Sequence, residues 1–578
     1  MIHSSKMKLS YALLTMAVVL SACSGGNNAK PTNGSSASPS ASPSATASAT
    51  SSASASPATS EETEADLQFG KYDPPIEVST VRAVGSDLKF PEGQSWEDNV
   101  WTRKLMDSLG IKLKHQWIVN TDQGTEKMNI SIASGNLPDF FSVSATQLSQ
   151  LVEAGQIMDM TEIYQKHASP TFKKYTESVT NGLATATFDG KMMALPTGQA
   201  TSDSAPLLWI RRDWLKKLDL PEPKTMADVL AISDAFTNQD PDGNNKKDSY
   251  GLAVNKTLLM YNGGQAFGSL EGFFNSYHAY PQSWIKGEDG KLVYGSIQPE
   301  MKQALASLQQ MYKNGQIDKE FGVKGDAKVL ELASAGKLGM AYGPMFFSLT
   351  LLDSRKNDPN ADWQAYPIVS IDDQAAYSQT QANAISDYYV INKNAKNPEA
   401  MFKMINVSVD MDTNPNVSQE EYEELNYVDG IEVWQYFPFF VVNPNKNLEV
   451  HKKVVAALDS KDTTGLNQEQ LDAYKNSLAM EEGTGDATNW GMSKVFGREG
   501  SYSVIDKLLS ANLFKPSEFI KSPTKTMTIK NATLQKLEIQ TYTKIIMGES
   551  LDSFDKFVED WKKLGGDQIT VEVNEAMQ

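Results

Sequence analysis

The folded part of the chain begins with segments whose hydrophobic spacing alternates between the strand and the helix pattern. Residues 76–84 (IEVSTVRAV) and 111–119 (IKLKHQWIV) are rich in β-branched residues and predict two strands. Residues 96–109, which Gly110 follows, and residues 125–134 carry apolar positions at helical spacing. Strands that alternate with helices predict an α/β fold with a parallel sheet covered on both faces, in which ligands bind at the carboxyl ends of the strands.

Amphipathic helices are predicted further along the chain. Residues 301–315 and 395–409 have apolar residues on one face, and Pro398 lies near the start of the second segment. Residues 551–564 carry one apolar stripe, which we interpret as a packing surface, with Gly565 as the helix cap. The folded part, from about residue 70 onward, is too long for a single core, so at least two lobes are expected.

The amino terminus has the pattern of a lipoprotein signal peptide. Lys6 and Lys8 precede a short apolar segment, residues 9–20, which is too short to serve comfortably as a permanent membrane span. The motif LSAC follows, so residues 1–22 are predicted to be removed and Cys23 to be lipidated with acyl chains such as palmitate. The alternative is a cysteine that follows an ordinary cleavage site by chance. Cys23 is the only cysteine, which excludes disulfides, a catalytic cysteine and zinc–thiolate sites.

Residues 23–66 combine the predicted lipidated cysteine with a Ser-, Ala- and Pro-rich tether. Between residue 24 and about residue 60 the segment has no aromatic residue and a single charge, Lys30, so we expect a disordered coil. The formal net charge of −18 argues against nucleic acid as a partner, although an acidic sugar held by local Arg and Lys residues stays possible. The mature chain is expected on the extracellular face of the cell membrane, in a Gram-positive-type envelope, with the lipid as its only membrane contact.

Six segments together carry a resemblance to a known family. They are ASGNLPDFF (133–141), LVEAGQIMDMTEIYQKHASP (151–170), DGKMMALP (189–196), LLWIRRDWLKKLDLPEPKT (207–225), GKLVYGSIQPEMKQAL (290–305) and FDKFVEDWKKLGGDQITVEVNE (554–575). In combination they resemble family 1 extracellular solute-binding proteins, the lipoprotein receptors of carbohydrate ABC importers. The resemblance covers nearly all of residues 75–575. Within the family, the chain most resembles the lipoprotein subgroup that includes alginate-oligosaccharide-binding proteins.

The resemblance implies a two-lobed, periplasmic-binding-protein-like α/β fold, with crossover hinge segments and a ligand cleft between the lobes. It places residues 70–200 and about 385–445 in the N-terminal lobe, and about 201–384 and 446–578 in the C-terminal lobe. MMALP would lie near the first crossover and SDYYVI (386–391) near the second. The implied function is that of a monomeric receptor which captures an oligosaccharide and delivers it to the permease subunits of an ABC importer.

Catalytic motifs do not support an enzyme. The chain has no HExxH, no GxSxG, no P-loop and no dinucleotide-binding glycine pattern, and its five histidines are scattered. We therefore expect no enzymatic activity. A secreted carbohydrate-degrading lipoprotein that uses paired carboxylates stays open as the alternative, because the separation of two carboxyl groups is spatial and cannot be read from sequence.

A sugar site needs exposed aromatic planes beside directional hydrogen-bonding groups, because sugar rings have apolar faces and hydroxyl edges. The candidates lie in loops, at strand ends or just after the first crossover. As a group we predict that the sugar contacts are Trp96, Trp209, Arg211, Trp284, Phe346, Trp434 and Trp490. The alternative for each member is ordinary packing in the core.

The stretch DPDGNNKKD, residues 240–248, has the oxygen spacing of a calcium loop. Side-chain oxygens fall at positions 1, 3, 5 and 9, with a main-chain carbonyl at position 7; the predicted ligands are Asp240, Asp242, Asn244, Lys246 and Asp248. The residue at position 12 is Gly251 instead of the bidentate Glu, so Ser249 or water must help. The resemblance implies a structural Ca²⁺, since related alginate-binding proteins have a similar loop, while the alternative is a polar turn rich in Asx motifs.

Overall fold

The computed structural model describes residues 63–577 apart from 86–87, 180–181, 199–200, 260–266, 381–384, 430, 442 and 522. The predictions for the signal peptide, Cys23 and almost all of the tether lie outside these residues. Within them, no helix has both the length and the apolar character that a membrane span requires.

The described strands are short and the helices surround them. The strands are β1 (Ile76–Val84), β2 (Ile111–Asn120), β3 (Phe140–Val143), β4 (Thr187–Phe188), β5 (Lys191–Met192), β6 (Leu195–Gly198), β7 (Leu207–Arg211), β8 (Tyr250–Leu252), β9 (Trp284–Lys286), β10 (Leu292–Tyr294), β11 (Leu338–Gly343), β12 (Trp363–Tyr366), β13 (Ser378–Thr380), β14 (Ile385–Ile391), β15 (Tyr427–Val428), β16 (Ile431–Glu432) and β17 (Phe514–Pro516). The helices are α1 (Glu64–Phe69), α2 (Val100–Leu109), α3 (Thr121–Ser134), α4 (Ala145–Glu153), α5 (Thr161–His167), α6 (Pro170–Ser178), α7 (Gly182–Ala186), α8 (Arg212–Lys217), α9 (Met226–Asn238), α10 (Glu271–Asn275), α11 (Pro299–Lys313), α12 (Asp326–Ser334), α13 (Phe347–Thr350), α14 (Leu352–Asn357), α15 (Ala400–Thr413), α16 (Gln419–Asn426), α17 (Lys446–Ser460), α18 (Gln468–Glu481), α19 (Ala487–Phe496), α20 (Ser501–Ser510), α21 (Lys525–Ile546), α22 (Asp552–Trp561) and α23 (Asp567–Ala576).

Local capping sets several element boundaries differently from the sequence-based prediction. α1 begins inside the segment assigned to the tether, because Thr63 and Asp66 form a capping box. α2 begins at Val100 instead of residue 96, because the Asn99 side chain accepts the N–H groups of Trp101 and Thr102.

The buried apolar residues form separate cores that define two lobes. The cores of the first lobe draw on residues 78–195 and 388–441, and those of the second lobe on residues 207–376 and 450–573. No described core cluster mixes the two sets. Each lobe is therefore built from two separate pieces of the chain.

The first lobe contains a parallel pair of strands beside an antiparallel sheet. β1 and β2 pair in parallel, with Ile76 opposite Ile111, as the alternating pattern predicts. β14 lies between β3 and β6 and runs antiparallel to both. The main-chain N–H and the hydroxyl of Ser79 in β1 donate to the Asp139 carboxylate just before β3, at 2.8 and 2.6 Å, which joins the pair to the sheet.

The second lobe has a mixed sheet with the strand order β12-β7-β11-β8. β7 is antiparallel to both of its neighbours, and β8 is parallel to β11. The expectation of a parallel sheet holds for the pair β1 and β2 but is wrong for the two larger sheets, because β7 and β14 each run antiparallel to both of their neighbours. Leu207 lies opposite Gly343 at one end of β7, and Arg211 lies opposite Trp363 at the other.

Polar contacts join the segments that pass between the lobes. The Ser378 hydroxyl donates to the Pro206 carbonyl at 3.1 Å, so the chain before the second crossing lies against the chain after the first. Asp203, in a short 3-10 turn after the first crossing, accepts from the Tyr502 hydroxyl at 2.5 Å and from the Asn447 amide at 2.9 Å. Burial raises the pKa of Asp203, although these hydrogen bonds oppose the rise. One buried carboxyl group thereby holds the turn after the first crossing against α17 and α20.

Candidate functional site

Arg82, near the carboxyl end of β1, brings together two segments that are far apart in sequence. Its two terminal guanidinium nitrogens donate to the carbonyl oxygens of Tyr436 and Gln435, at 3.1 and 2.5 Å, in the turn at residues 433–436. The guanidinium carbon lies 5.2 Å from the ring centre of Trp96. Arg82 therefore links the loop of Trp96 to the segment that carries Trp434.

Aromatic packing fixes the rings around Arg82. Phe90 contacts Trp96 edge-on at 5.0 Å and stacks on Tyr436 at 4.6 Å. Trp434 packs edge-on against Phe440 at 5.7 Å while 37% of it stays exposed. Trp96 is half-buried. We call Arg82, Trp96, Trp434 and Asp387 the first-lobe patch, since they offer aromatic and charged groups on the same lobe.

The charged members of the first-lobe patch are held in a setting of low polarity. Burial lowers the pKa of Arg82 to about 10, so the guanidinium stays charged at neutral pH. The Asp387 side chain is exposed, yet desolvation by the surrounding protein raises its pKa to about 6. Between them, the Tyr389 hydroxyl donates to the Phe440 carbonyl at 3.2 Å. The first lobe thus carries an arginine donor, a carboxylate acceptor and an exposed indole, which are the kinds of group that sugar binding uses.

Phe346 and Trp209 lie near the crossing end of the second-lobe sheet. Phe346 follows β11 and is 41% exposed. Trp209 is fully buried, its indole N–H donates to the Gly343 carbonyl at 3.3 Å, and its ring lies 5.6 Å from that of Phe347. The structure thus presents Phe346 at the surface and places Trp209 in the core instead of at a ligand surface.

Trp284 lines a cavity of about 290 Å³ in the second lobe. The segment predicted to be a polar loop is the start of β9, and only 6% of Trp284 is exposed. Tyr294 and Trp561, which stack with ring centres 4.9 Å apart, also line this cavity. The cavity reaches Thr380, the last described residue before the second crossing, so Trp284 forms a wall close to the crossing segments.

Arg211 lies at the end of β7 that is remote from the crossings. It is 2% exposed and forms ion pairs with Asp213 at 2.6 Å and with Asp358 at 3.1 Å. Leu207 lies four residues earlier in the strand, which corresponds to roughly 13 Å along an extended chain. Arg211 is therefore a buried, ion-paired residue of the second lobe and does not belong to the candidate sugar site.

Trp490 also lies in this remote region. Its segment, predicted to be a loop, is helix α19, because Asp486 forms a capping box with Asn489. Trp490 is 2% exposed and lines a charged cavity of about 710 Å³. In that cavity Asp362 pairs with Lys494 and Arg212, each at 2.7 Å; although burial opposes it, both cations lower the pKa of Asp362. The charges of this cavity are therefore paired with one another, and the Trp490 indole forms part of its wall.

Sequence reasoning missed Arg82 and Asp387, and both had a detectable signal. Arg82 is a charged residue near the carboxyl end of a strand that is otherwise β-branched and apolar. Asp387 interrupts the apolar strand β14 immediately after the second crossing. What no local pattern shows is that Arg82 meets a turn that lies 353 positions later in the chain.

The loop of residues 240–248 gathers its acidic side chains around Asn244. The Asn244 main-chain N–H donates to Asp240 at 3.0 Å, and its side-chain amide donates to Asp242 at 2.7 Å and to Asp248 at 3.0 Å. Gly243 and Asn245 have φ values of +76° and +59°, the left-handed conformation that the calcium-loop interpretation assigns to them. An oxygen-rich donor set of this kind suits a hard cation such as Ca²⁺.

The ammonium group of Lys337 lies among the acidic side chains of this loop. Lys337, just before β11, lies 2.7 Å from Asp248 and 3.3 Å from Asp242, and it lowers the pKa of Asp248. Among the described residues, no three His, Cys, Asp or Glu side chains are close enough to hold a metal ion. The Ser249 hydroxyl, considered as an extra ligand, donates instead to the Phe236 carbonyl at 2.7 Å. A metal would need Lys337 to withdraw and the Asn244 amide to turn its oxygen inward.

Comparison with known proteins agrees with this architecture. A family model for bacterial extracellular solute-binding proteins matches residues 90–410. The polygalacturonan/rhamnogalacturonan-binding protein YtcQ of Bacillus subtilis (strain 168) is 24% identical over 465 residues, which cover 78% of this chain and 83% of the relative.

Solved structures establish the fold at low sequence identity. The substrate-binding protein FusA of S. pneumoniae in complex with kestose has a TM-score of 0.59 at 16% identity, covering 87% of this chain and 98% of FusA. An EF-hand mutant of FusA in complex with fructo-nystose gives a TM-score of 0.56 at 16% identity, with the same coverage. The alginate-binding protein AlgQ2, solved without calcium ion, has a TM-score of 0.55 at 16% identity, again covering 87% and 98%. The expected two-lobed, periplasmic-binding-protein-like α/β fold is confirmed.

Proposed function

Because this chain belongs to the family of bacterial extracellular solute-binding proteins, we propose that it is a lipid-anchored receptor that captures an oligosaccharide between its lobes and delivers it to an ABC importer. The observation that carries the proposal is the first-lobe patch, where Arg82 holds the main chain of the turn that carries the exposed Trp434. The saccharide ligands in the names of YtcQ and of the FusA complex support the same class of ligand.

The patch would bind a sugar through stacking and directional hydrogen bonds. Trp434 and Trp96 supply apolar planes for the C–H faces of the rings, while Asp387 accepts and Arg82 donates hydrogen bonds at the hydroxyl edges. Phe346 and the wall formed by Trp284 are the proposed contributions of the second lobe. Closure would then be a population shift, since a ligand that touches both lobes binds the closed state more tightly.

We also propose the lobe boundaries and a monomeric state. The first lobe would comprise residues 70–200 and about 385–445, and the second lobe about 201–384 and 446–578. The separation of the core clusters supports this division. Since one chain supplies both walls of the cleft, the receptor needs no second copy to bind its ligand.

A binding experiment that also looks for turnover tests the function. Neutral and uronate-containing oligosaccharides are titrated into the protein by calorimetry, and each mixture is then analysed for shortened products. We expect binding with micromolar or better affinity and no products. Trp434→Ala should weaken binding by about 1–3 kcal/mol if the indole is an anchor, whereas Phe69→Ala, equally exposed at 37% but outside the patch, should not. Cleavage of an oligosaccharide would instead support the carbohydrate-degrading alternative.

We propose that the loop of residues 240–248 binds a structural Ca²⁺. The side chains of Asp240, Asp242, Asn244 and Asp248 and the main-chain carbonyl of Lys246 would hold it. Bound Ca²⁺ would supply the positive charge that Lys337 now supplies, and it would stabilise the turn before β8. The EF-hand mutation made in FusA and the calcium named for AlgQ2 support a metal loop in proteins of this fold.

The anchor proposal rests on the amino-terminal sequence. The motif LSAC ends at Cys23, and a Ser-, Ala- and Pro-rich segment separates it from α1. We propose that acylated Cys23 holds the receptor at the outer face of the cell membrane, where the cleft can meet both extracellular sugars and the importer.

A further inference from the structure

The charge of Arg82 is not offset by any carboxylate among the described residues. The two hydrogen bonds of its guanidinium go to neutral main-chain carbonyl groups. The neighbouring Tyr389 phenol is uncharged at neutral pH, because burial raises the pKa of Tyr389 to about 12. A half-buried cation without a counter-ion costs stability, and such groups concentrate at functional sites.

The geometry leaves donors of Arg82 available. A guanidinium has five N–H donors, and the hydrogen bonds to Gln435 and Tyr436 use two terminal groups. Those bonds and the face of Trp96 fix the plane of the guanidinium before any ligand arrives. A pre-oriented fork of N–H groups matches the two oxygens of a carboxylate better than it matches a single hydroxyl.

Two further buried polar atoms near Arg82 have no partner among the described residues. These are the Thr80 hydroxyl and Nε2 of His115, on residues that face each other across β1 and β2. Burial lowers the pKa of His115; the Glu97 carboxylate opposes this, and the charge of Arg82 adds to it. His115 is therefore neutral at pH 7 and adds no positive charge beside Arg82, while the nearby Lys114 pairs with Glu97. Nearly all buried polar atoms in proteins are paired, so these two atoms mark a polar position near Arg82 that a water molecule can fill.

We propose that Arg82 is the carboxylate-binding residue of the cleft and that the ligand is an acidic oligosaccharide containing uronate units. This inference rests on the receptor function proposed above. The net charge of −18 repels an acidic ligand at long range, so a fixed local cation has to provide the attraction. A neutral sugar can accept hydrogen bonds from Arg82 but leaves its charge uncompensated.

A matched pair of ligands tests the proposal. Trigalacturonate and its fully methyl-esterified form share their rings and hydroxyl groups and differ in charge. With the wild-type full chain, calorimetry should show at least about 10-fold tighter binding of the free acid. Arg82→Met should remove that preference by weakening the acid form much more than the ester, and Arg82→Lys should retain part of it, because the charge remains while the fork is lost.

Arg103→Met is the control, since Arg103 is an exposed arginine of the first lobe that pairs with Asp98. It should bind both ligands as the wild type does. If Arg82→Met does not fold, Arg82→Lys and the wild-type preference still decide the question. Kestose, a neutral oligosaccharide, is titrated as the third probe. If the wild type binds the ester or kestose as tightly as the acid, the proposed acidic specificity is wrong and the receptor function is unaffected. No binding of any of the three probes overturns both.

Discussion

Glu538 in α21 offers a test of how the second lobe is stabilised. Its carboxyl group is completely buried, accepts from the Ser296 hydroxyl at 2.9 Å and from the Tyr294 hydroxyl at 3.4 Å, and forms no ion pair with a described Lys or Arg. Burial raises its pKa from 4.5 to about 8, against the effect of these hydrogen bonds. The folded protein therefore holds a proton on Glu538 at pH 7, where the unfolded chain releases it.

This linkage fixes the sign and the size of the effect. A raised acidic pKa contributes stability that is complete below pH 4.5 and is lost as the pH rises through about 8. The loss is about 1.4 kcal/mol per pH unit between those values, or about 3 kcal/mol between pH 5 and pH 7. Glu538→Gln keeps the shape and a hydrogen-bonding amide but does not titrate.

Urea unfolding of the wild type and of Glu538→Gln at pH 5, 6, 7 and 8, followed by circular dichroism, measures the effect. The stability of the wild type relative to the variant should fall steadily with pH, and contributions from all other titrating groups cancel in the difference. Glu559→Gln, at an exposed glutamate of α22, should follow the wild type. Parallel pH profiles for the wild type and Glu538→Gln would mean that Glu538 is ionised in the folded protein and that the reasoning fails.

Two further predictions concern the metal loop and the anchor. Removing calcium with a chelator should lower the melting temperature of the wild type but not that of Asp242→Ala, and Lys337→Met should enlarge the drop because the loop then has no ammonium group to replace the metal. Identical melting curves with chelator and with calcium would exclude the site. Cys23→Ser should move the protein from the membrane fraction to the soluble fraction of cells, and a variant that stays membrane-bound and normally processed would refute lipidation.

Local sequence patterns predicted the elements whose stability is local. β1, β2 and the helix between them follow from hydrophobic periodicity and capping residues. The same patterns could not predict that β14 pairs with β3 and β6, because that pairing depends on contacts between residues about 250 positions apart, as between Ile391 and Phe140.

The candidate site shows where sequence reasoning has enough information and where it does not. The apolar run LLWI, in β7, is of the kind that is buried on both faces, a signal against the prediction of Trp209 as a sugar contact. For Trp490, a Gly and an Asn concealed a capped helix. The exposure of Trp434, in contrast, depends on the packing of Phe440 and on a hydrogen bond from Arg82, which only the folded structure reveals.

The position of β14 has a consequence for the order in which the protein folds. β3 and β6 do not pair with each other, and the strand that joins them is made only after much of the second lobe has been synthesised. Until then both strands present unpaired edges, which favour association with other chains. A substitution that slows the insertion of β14 should therefore reduce the yield of the protein and promote aggregation, while molecules that do complete folding bind their ligand normally.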